Sequence, residues 1–139
     1  MDKTIRVLIV DSNQILAKQF GSKLTDHLKD VEINYAKNPI ILKDRLNSNN
    51  YDVIFADVYS MNDPYFTQKL LDKVHSTVII WSTLDCMKCP LYSPNTKCSH
   101  DNCPSKFSKN RKILPKPIKP QETSIMLESI SKEIRAIAI

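Results

Sequence analysis

Val7-Leu8-Ile9-Val10-Asp11 is a run of four apolar residues that ends at a single carboxylate. Val53-Ile54-Phe55-Ala56-Asp57 repeats the pattern, and Ile113-Leu114-Pro115-Lys116-Pro117 is a shorter run that ends at an ammonium. Near-continuous apolar runs are typical of strands buried on both faces of a parallel sheet, and functional groups in open α/β sheets follow the carboxyl ends of the strands. The three runs therefore predict two carboxylates and one ammonium at one edge of a sheet. Such a site suits a divalent cation and a phosphoryl group.

Strand and helix patterns alternate along the chain. The predicted strands cover residues 5–10, 31–36, 52–56, 77–81 and 112–114, and the predicted helices cover residues 14–29, 39–46, a segment from 64 to 74, and 121–137. Strict alternation demands right-handed crossovers and a parallel sheet with helices on both faces. We expect an α/β, flavodoxin-like sheet of five parallel strands in the order 2-1-3-4-5, which puts strands one and three side by side at the switch point.

Length and composition predict a single domain over residues 1–139, with a hydrophobic fraction of 42% that is sufficient for a core. The net charge of +5 is spread along the chain, so no nucleic-acid partner is expected. No apolar run has the length of a membrane helix, and the first residues lead directly into a strand, so a cytoplasmic location without membrane association is expected. Gly21 is the only glycine, which excludes a glycine-rich phosphate loop.

Residues 83–111 interrupt the alternation where a fourth helix is expected. They contain all four cysteines of the chain, Cys86, Cys89, Cys98 and Cys103. Structural disulfides are rare in cytoplasmic proteins, whereas four thiolates match a closed tetrahedral Zn²⁺ site. A metal would also organise a segment that lacks helical periodicity. The segment is therefore predicted to be a cysteine-rich, metal-binding insertion that replaces or extends the fourth helix.

Other chemistries of the four cysteines stay open at this point. An iron–sulfur cluster also takes four cysteine ligands, although the spacing is not that of the ferredoxin run. A redox disulfide relay and a set of free thiols are the further alternatives. His100, between Cys98 and Cys103, is a reserve ligand.

The chain resembles the receiver domain of two-component response regulators over essentially its whole length apart from the cysteine segment. The resemblance rests on four motifs in the family's order: Val7 to Asp11, Asp57 after residues 52–56, Val78-Ile79-Ile80-Trp81-Ser82, and Lys116-Pro117. It implies that Asp57 accepts a phosphoryl group from a histidine kinase and that Asp11 and Asp57 hold Mg²⁺. It further implies that Ser82 and Lys116 contact the phosphoryl oxygens.

Three positions depart from the family pattern. Ser12 stands where the family has a second acid, so weak Mg²⁺ binding is expected, because this cation prefers anionic oxygen. The loop of residues 58–63 lacks the usual proline and glycine. Ile113 occupies the position of the aromatic switch residue, so the chain lacks the side chain that conventional hydroxyl–aromatic signalling uses.

The resemblance implies a stand-alone phosphoacceptor that signals by protein–protein binding, because no output domain follows residue 139. Its expected partners are a histidine kinase or phosphotransfer protein and a downstream protein, and the apolar residues 137–139 allow a homodimer. No enzymatic activity is expected beyond self-phosphorylation and dephosphorylation. One alternative is a degenerate receiver that senses a metal or redox state through its cysteines while Asp57 is idle. Another is a flavodoxin-like electron carrier with an iron–sulfur cluster.

Overall fold

The computed structural model describes residues 4–28, 30–82 and 113–115, together with residues 128, 132 and 136. Its strands are β1 (Ile5–Val10), β2 (Val31–Ala36), β3 (Val53–Ala56), β4 (Thr77–Ser82) and β5 (Ile113–Pro115). Its complete helices are α1 (Gln14–His27), α2 (Pro39–Ser48) and α3 (Pro64–Asp72), and a short 3₁₀ helix covers Val58–Ser60.

All strands belong to one parallel sheet, in the order β2-β1-β3-β4-β5. The predicted parallel α/β architecture and the order 2-1-3-4 of the main strands are confirmed, and β5 adds three residues at the outer side of β4. Val10 at the end of β1 is in register with Ala36 of β2 and with Ala56 of β3. These three strands therefore end at the same level of the sheet.

Helices cover both faces of the sheet, as predicted. α1 packs its buried residues on one face, where the rings of Phe20 and Phe55 meet edge to face with centroids 4.9 Å apart. α2 and α3 pack on the other face, where Leu42 and Leu71 join Leu8 in the core. Each strand in the middle of the sheet thus sends alternate side chains into two cores, which explains why its sequence is apolar throughout.

The three complete helices each begin at a polar side chain that caps the first turn. Asn13, Asn38 and Asp63 accept hydrogen bonds from the backbone N–H groups of the residues three positions later, at 3.1, 2.9 and 3.0 Å. α2 and α3 also have proline in the first turn, where its missing N–H costs nothing. The helix starts predicted at Gln14, Pro39 and Pro64 are confirmed.

Several boundaries differ from the sequence-based expectation. α1 ends at His27 and not at residue 29, β3 begins at Val53 and not at 52, and α2 continues to Ser48. On α3, Phe66 is exposed and Thr67 is buried. The Thr67 hydroxyl donates to the backbone oxygen of Asp63 at 2.9 Å, so burial leaves it with a partner.

The predicted C-terminal helix over 121–137 is represented by Glu128, Lys132 and Ala136, which are helical and exposed. Glu128 pairs with His27 at the end of α1, with Nε2 and Oε2 3.8 Å apart. The predicted cysteine segment and the rest of the C-terminal helix lie outside the described residues. Over the ranges that the structure describes, no helix has both the length and the apolar character needed to cross a bilayer.

Candidate functional site

Asp11 and Asp57 are brought together at the carboxyl ends of β1 and β3. Each directly follows a residue of the register pair Val10–Ala56, and the Asp57 N–H donates to the Val10 carbonyl at 2.8 Å. Both residues are buried, with 0% of Asp11 and 3% of Asp57 exposed. Buried carboxylates require hydrogen-bond donors or a cation nearby. The two acids therefore lie next to each other at one edge of the sheet, as the strand pattern predicts.

Ser60, at the end of the 3₁₀ helix, links the two acids. Its backbone N–H donates to Asp57 Oδ1 at 3.1 Å. Its hydroxyl oxygen lies 3.3 Å from Asp11 Oδ1 and 3.0 Å from the Asp57 carbonyl oxygen. Ser12 N–H donates to the same hydroxyl oxygen at 3.2 Å. One serine thus contacts both carboxylates and the residue that follows Asp11.

The start of α1 orients Asp11 from the other side. The Asn13 N–H donates to Asp11 Oδ1 at 2.8 Å, and the Gln14 side-chain amide donates to the Asp11 carbonyl at 2.7 Å. Asp11 therefore precedes a helix N-terminus, where backbone N–H groups and the helix dipole favour negative charge. These contacts hold one carboxylate oxygen in a defined direction.

The donor set at this site fits a hard divalent cation. Mg²⁺ is typically bound by one or two protein carboxylates plus water and phosphate oxygen, and Asp11 and Asp57 supply two. In the described ranges no group of three or more histidine, cysteine, aspartate or glutamate residues forms a metal-binding cluster. The two acids thus suit a cation that takes most of its ligands from water and substrate.

The other predicted site residues are only partly within the described structure. Ser82 is the last residue of β4, two positions beyond Ile80, which pairs with Ala56 next to Asp57. Lys116 follows the last residue of β5 and lies outside the described residues, as do Cys86, Cys89, Cys98 and Cys103. The zinc and iron–sulfur interpretations therefore stay predictions.

Ser60 is a site residue that no sequence motif predicted. Residues 58–63 were predicted only as a loop without proline and glycine, whereas Asp57 caps a 3₁₀ helix there through its own side chain. Aspartate is a preferred N-cap residue, so Asp57 itself could have indicated the capping contact. It could not have indicated the contact between Ser60 and Asp11.

Four exposed apolar side chains lie in the first turns of the three helices. Ile15 and Ile40 are each 73% exposed in the first turns of α1 and α2, and Tyr65 and Phe66 are exposed in the first turn of α3. Exposed apolar residues are ordinary on protein surfaces when they stand singly.

Solved structures that match this chain include receiver domains. The chain matches a CheY-like response regulator receiver domain protein from Methanospirillum hungatei JF-1 with a TM-score of 0.67 and 18% identity, covering 97% of each chain. It matches the receiver domain of the Francisella response regulator 1452 with a TM-score of 0.61 and 25% identity, covering 93% of this chain and 98% of the other. The chain has the receiver-domain fold.

The receiver fold is also found in a chain from the crystal structure of the P1 domain of CheA3 in complex with CheY6 from R. sphaeroides. That match has a TM-score of 0.67 and 19% identity and covers 96% of this chain and 98% of the other. No family model and no curated protein matches the sequence. The receiver fold of this chain is therefore evident from its three-dimensional structure.

Proposed function

We propose that this protein is a phosphoacceptor signalling domain in which Asp57 receives a phosphoryl group and a protein partner reads the result. The observation that carries the proposal is the pair of buried acids, Asp11 and Asp57, at the ends of adjacent strands and joined through Ser60. Carboxylates paired in this way are typical ligands of a hard divalent cation, so the pair favours a role that uses one.

Asp57 is the proposed nucleophile. One of its carboxylate oxygens forms the bond to phosphorus while the bond from phosphorus to the donor breaks, and the electron pair of that bond stays with the donor's nitrogen or oxygen. A carboxylate nucleophile needs no general base, because it attacks in its ionised form without giving up a proton. Ser60 N–H holds Asp57 Oδ1 at 3.1 Å and so orients the group before transfer. Positioning of this kind supplies much of the catalysis in phosphoryl transfer.

Charge neutralisation is the second requirement of the transfer. Asp11 and Asp57 would hold Mg²⁺, which when bound neutralises the charge on the phosphoryl oxygens. The resemblance to receivers assigns Ser82 as a hydrogen-bond donor and Lys116 as a cation for the same oxygens. Ser82 is the last residue of β4, the strand next to β3, and this position in the chain supports the assignment.

The proposed phosphoryl donor is a histidine kinase or a phosphotransfer protein. Ile15, in the first turn of α1, is 73% exposed and follows Asp11 by four residues, so it is the proposed apolar contact for such a partner. A chain of the same fold occurs in the crystal structure of the P1 domain of CheA3 in complex with CheY6. Under this proposal, Ile15→Ser slows transfer from a phosphorylated histidine phosphotransfer domain and leaves transfer from acetyl phosphate unchanged.

Intact mass spectrometry after incubation with acetyl phosphate and saturating Mg²⁺ tests the proposal. The wild-type mass is expected to rise by one phosphoryl group, and Asp57→Asn is expected to show no rise. Asp52→Asn is the matched control, because Asp52 precedes β3 at the opposite end and accepts a hydrogen bond from Arg6 N–H that an asparagine oxygen can also accept. Asp52→Asn should therefore gain the phosphoryl group like the wild type.

A wild type that gains no mass would reject the phosphoacceptor proposal. The degenerate receiver, acting as an interaction module through its cysteines, would then be the better interpretation. A gain that persists in Asp57→Asn would mean that another residue is the acceptor. In the proposed role the protein is a signalling component and not an enzyme with an external substrate.

A further inference from the structure

The Ser60 side chain reaches both acids because two structural features bring it there. In a 3₁₀ helix, residues three positions apart lie on the same side, so the turn of residues 58–60 folds Ser60 back toward Asp57, which caps the turn. The register of β1 with β3 brings Asp11 to the same edge of the sheet. The Ser60 hydroxyl donates a hydrogen bond to Asp11 Oδ1 at 3.3 Å, a contact between residues 49 positions apart.

The same hydroxyl connects two segments of the chain. Its oxygen accepts from Ser12 N–H at 3.2 Å, and its hydrogen has a second acceptor in the Asp57 carbonyl at 3.0 Å. A carboxylate is a stronger acceptor than a carbonyl, because hydrogen bonds to charged groups are the stronger ones. One hydroxyl thus joins the segment that follows β1 to the turn that follows β3.

Asp11 Oδ1 accepts hydrogen bonds from two different elements. The Asn13 N–H, at the start of α1, donates at 2.8 Å, and the Ser60 hydroxyl, on the turn after β3, donates at 3.3 Å. A single donor lets a carboxylate rotate about its side-chain bond, whereas two donors on separate elements restrict that rotation. The orientation of Asp11 therefore depends on Ser60 as well as on α1.

We propose that Ser60 is a positioning residue for phosphoryl transfer to Asp57 and that its hydroxyl acts through Asp11. The proposal deepens the proposed function of this site and rests on it. The hydroxyl fixes the direction of the Asp11 carboxylate before the cation and the phosphoryl donor bind. Phosphoryl transfer depends mainly on positioning and charge neutralisation, so loss of this contact slows the transfer although the nucleophile itself is unchanged.

The initial rate of phosphoryl uptake from acetyl phosphate at saturating Mg²⁺, followed by intact mass, tests the proposal. In this reaction an Asp57 oxygen bonds to phosphorus, and the electron pair of the broken P–O bond leaves with acetate. Ser60→Val and Ser60→Thr have nearly the same shape and differ in the hydroxyl, and both keep the backbone N–H that donates to Asp57. Ser60→Val is expected to slow uptake about tenfold, the loss of one hydrogen bond to a charged group, and Ser60→Thr to stay within about twofold of the wild type.

A second measurement uses metal-free protein without a phosphoryl donor. The Asn13 N–H donates to Asp11 Oδ1, so its exchange rate with solvent, measured by NMR, reports how firmly Asp11 is held. Ser60→Val is expected to speed up this exchange at least about threefold, and Ser60→Thr is expected to leave it unchanged. The Ile41 amide donates to the Asn38 side chain at the start of α2 at 2.9 Å and is the internal control, with unchanged exchange in both variants.

Equal uptake rates in Ser60→Val and wild type overturn the proposal. Equal slowing in Ser60→Val and Ser60→Thr also overturns it, because shape and not the hydroxyl would then set the rate. Unchanged exchange at Asn13 in Ser60→Val overturns the action through Asp11.

Ser76→Ala controls for loss of a hydroxyl elsewhere, since the Ser76 hydroxyl donates to the Tyr51 carbonyl at 2.6 Å. It is expected to keep the wild-type uptake rate, and slowing equal to that of Ser60→Val would overturn the proposal by showing a general loss of stability. A wild type that takes up no phosphoryl group rejects the proposed function and the positioning role with it. That result is distinct from failure of the positioning role alone, in which the wild type is phosphorylated and the variants behave alike.

Discussion

Gly21 on α1 lies directly against the side chain of Tyr35 on β2. A Cβ built at Gly21 would overlap the Tyr35 hydroxyl and would lie 3.1 Å from the ring carbon Cζ. Both residues belong to the layer on the α1 face of the sheet, where Tyr35 packs against the core. The single glycine of the chain is therefore explained by a close approach between a helix and a strand, in a position where any side chain would displace the tyrosine.

Gly21→Ala is expected to lower the free energy of unfolding by up to about 2 kcal/mol, because an overpacking cost of about 1–3 kcal/mol outweighs the gain of about 1 kcal/mol in helix propensity. Tyr35→Phe removes the hydroxyl that meets the new methyl group, while the ring carbon 3.1 Å away stays. The double variant should therefore recover part of the loss, with a coupling free energy that a double-mutant cycle of urea unfolding measures. Additive effects of the two changes would show that the close contact does not limit stability.

Alkaline pH should destabilise the protein through Tyr35. Burial raises the pKa of Tyr35 above its ordinary value of 10.0, so the folded state holds the phenolic proton more tightly than the unfolded state does. The resulting stabilisation is complete below the unfolded-state pKa and is lost as the pH rises through the folded-state pKa. Urea unfolding at about pH 8 and about pH 11, on either side of the ordinary tyrosine pKa, should show a smaller loss in Tyr35→Phe than in wild type. An equal loss in both would assign the alkaline sensitivity to other groups.

Ser12→Asp should tighten Mg²⁺ binding at least about fivefold. This factor corresponds to roughly 1 kcal/mol of binding free energy, the attraction expected between a cation and a solvent-accessible charge close to it. Ser12 is exposed and directly follows Asp11, so a carboxylate can be added there without repacking the core. Ser12→Asn adds an oxygen without the charge and is the control. If both variants bind Mg²⁺ like the wild type in a calorimetric titration, the side chain at position 12 does not face the metal.

Residues 83–111 are predicted to hold one metal through Cys86, Cys89, Cys98 and Cys103. The Cys89→Ser and Cys98→Ser double variant should lose the metal and become more sensitive to protease in this segment. It should keep phosphoryl uptake, because the contacts among Asp11, Asp57 and Ser60 do not involve cysteine.

Elemental analysis with an absorption spectrum of anaerobically purified protein distinguishes the metals, since a zinc site is colourless and an iron–sulfur cluster is not. His75→Ala removes an exposed histidine that lies outside the cysteine segment, and this control variant is expected to keep its metal. A double variant that keeps its metal, or a wild type without metal, would contradict the four-cysteine site.

The strands and the helix starts could be predicted from local sequence. A strand buried on both faces needs apolar residues at every position, as in Val7 to Val10. A helix start favours a capping side chain that accepts a hydrogen bond from the backbone N–H three residues later, as Asn38 does. The meeting of Asp11 and Asp57 followed from the alternation of elements, because parallel strands that are neighbours end at one edge. In these cases the structural feature is determined by a few neighbouring residues or by a general rule of topology.

Tertiary structure alone decided the finer features of the site and the core. The contact of Ser60 with Asp11 joins residues 49 positions apart, and it depends on the register of β1 with β3 and on the 3₁₀ turn after Asp57. The closeness of Gly21 and Tyr35 depends likewise on how α1 lies on β2. Periodicity indicates which side of an element is apolar, but it contains no distance between elements. Contacts of this kind are set by the packing of side chains from distant parts of the chain, which no local pattern records.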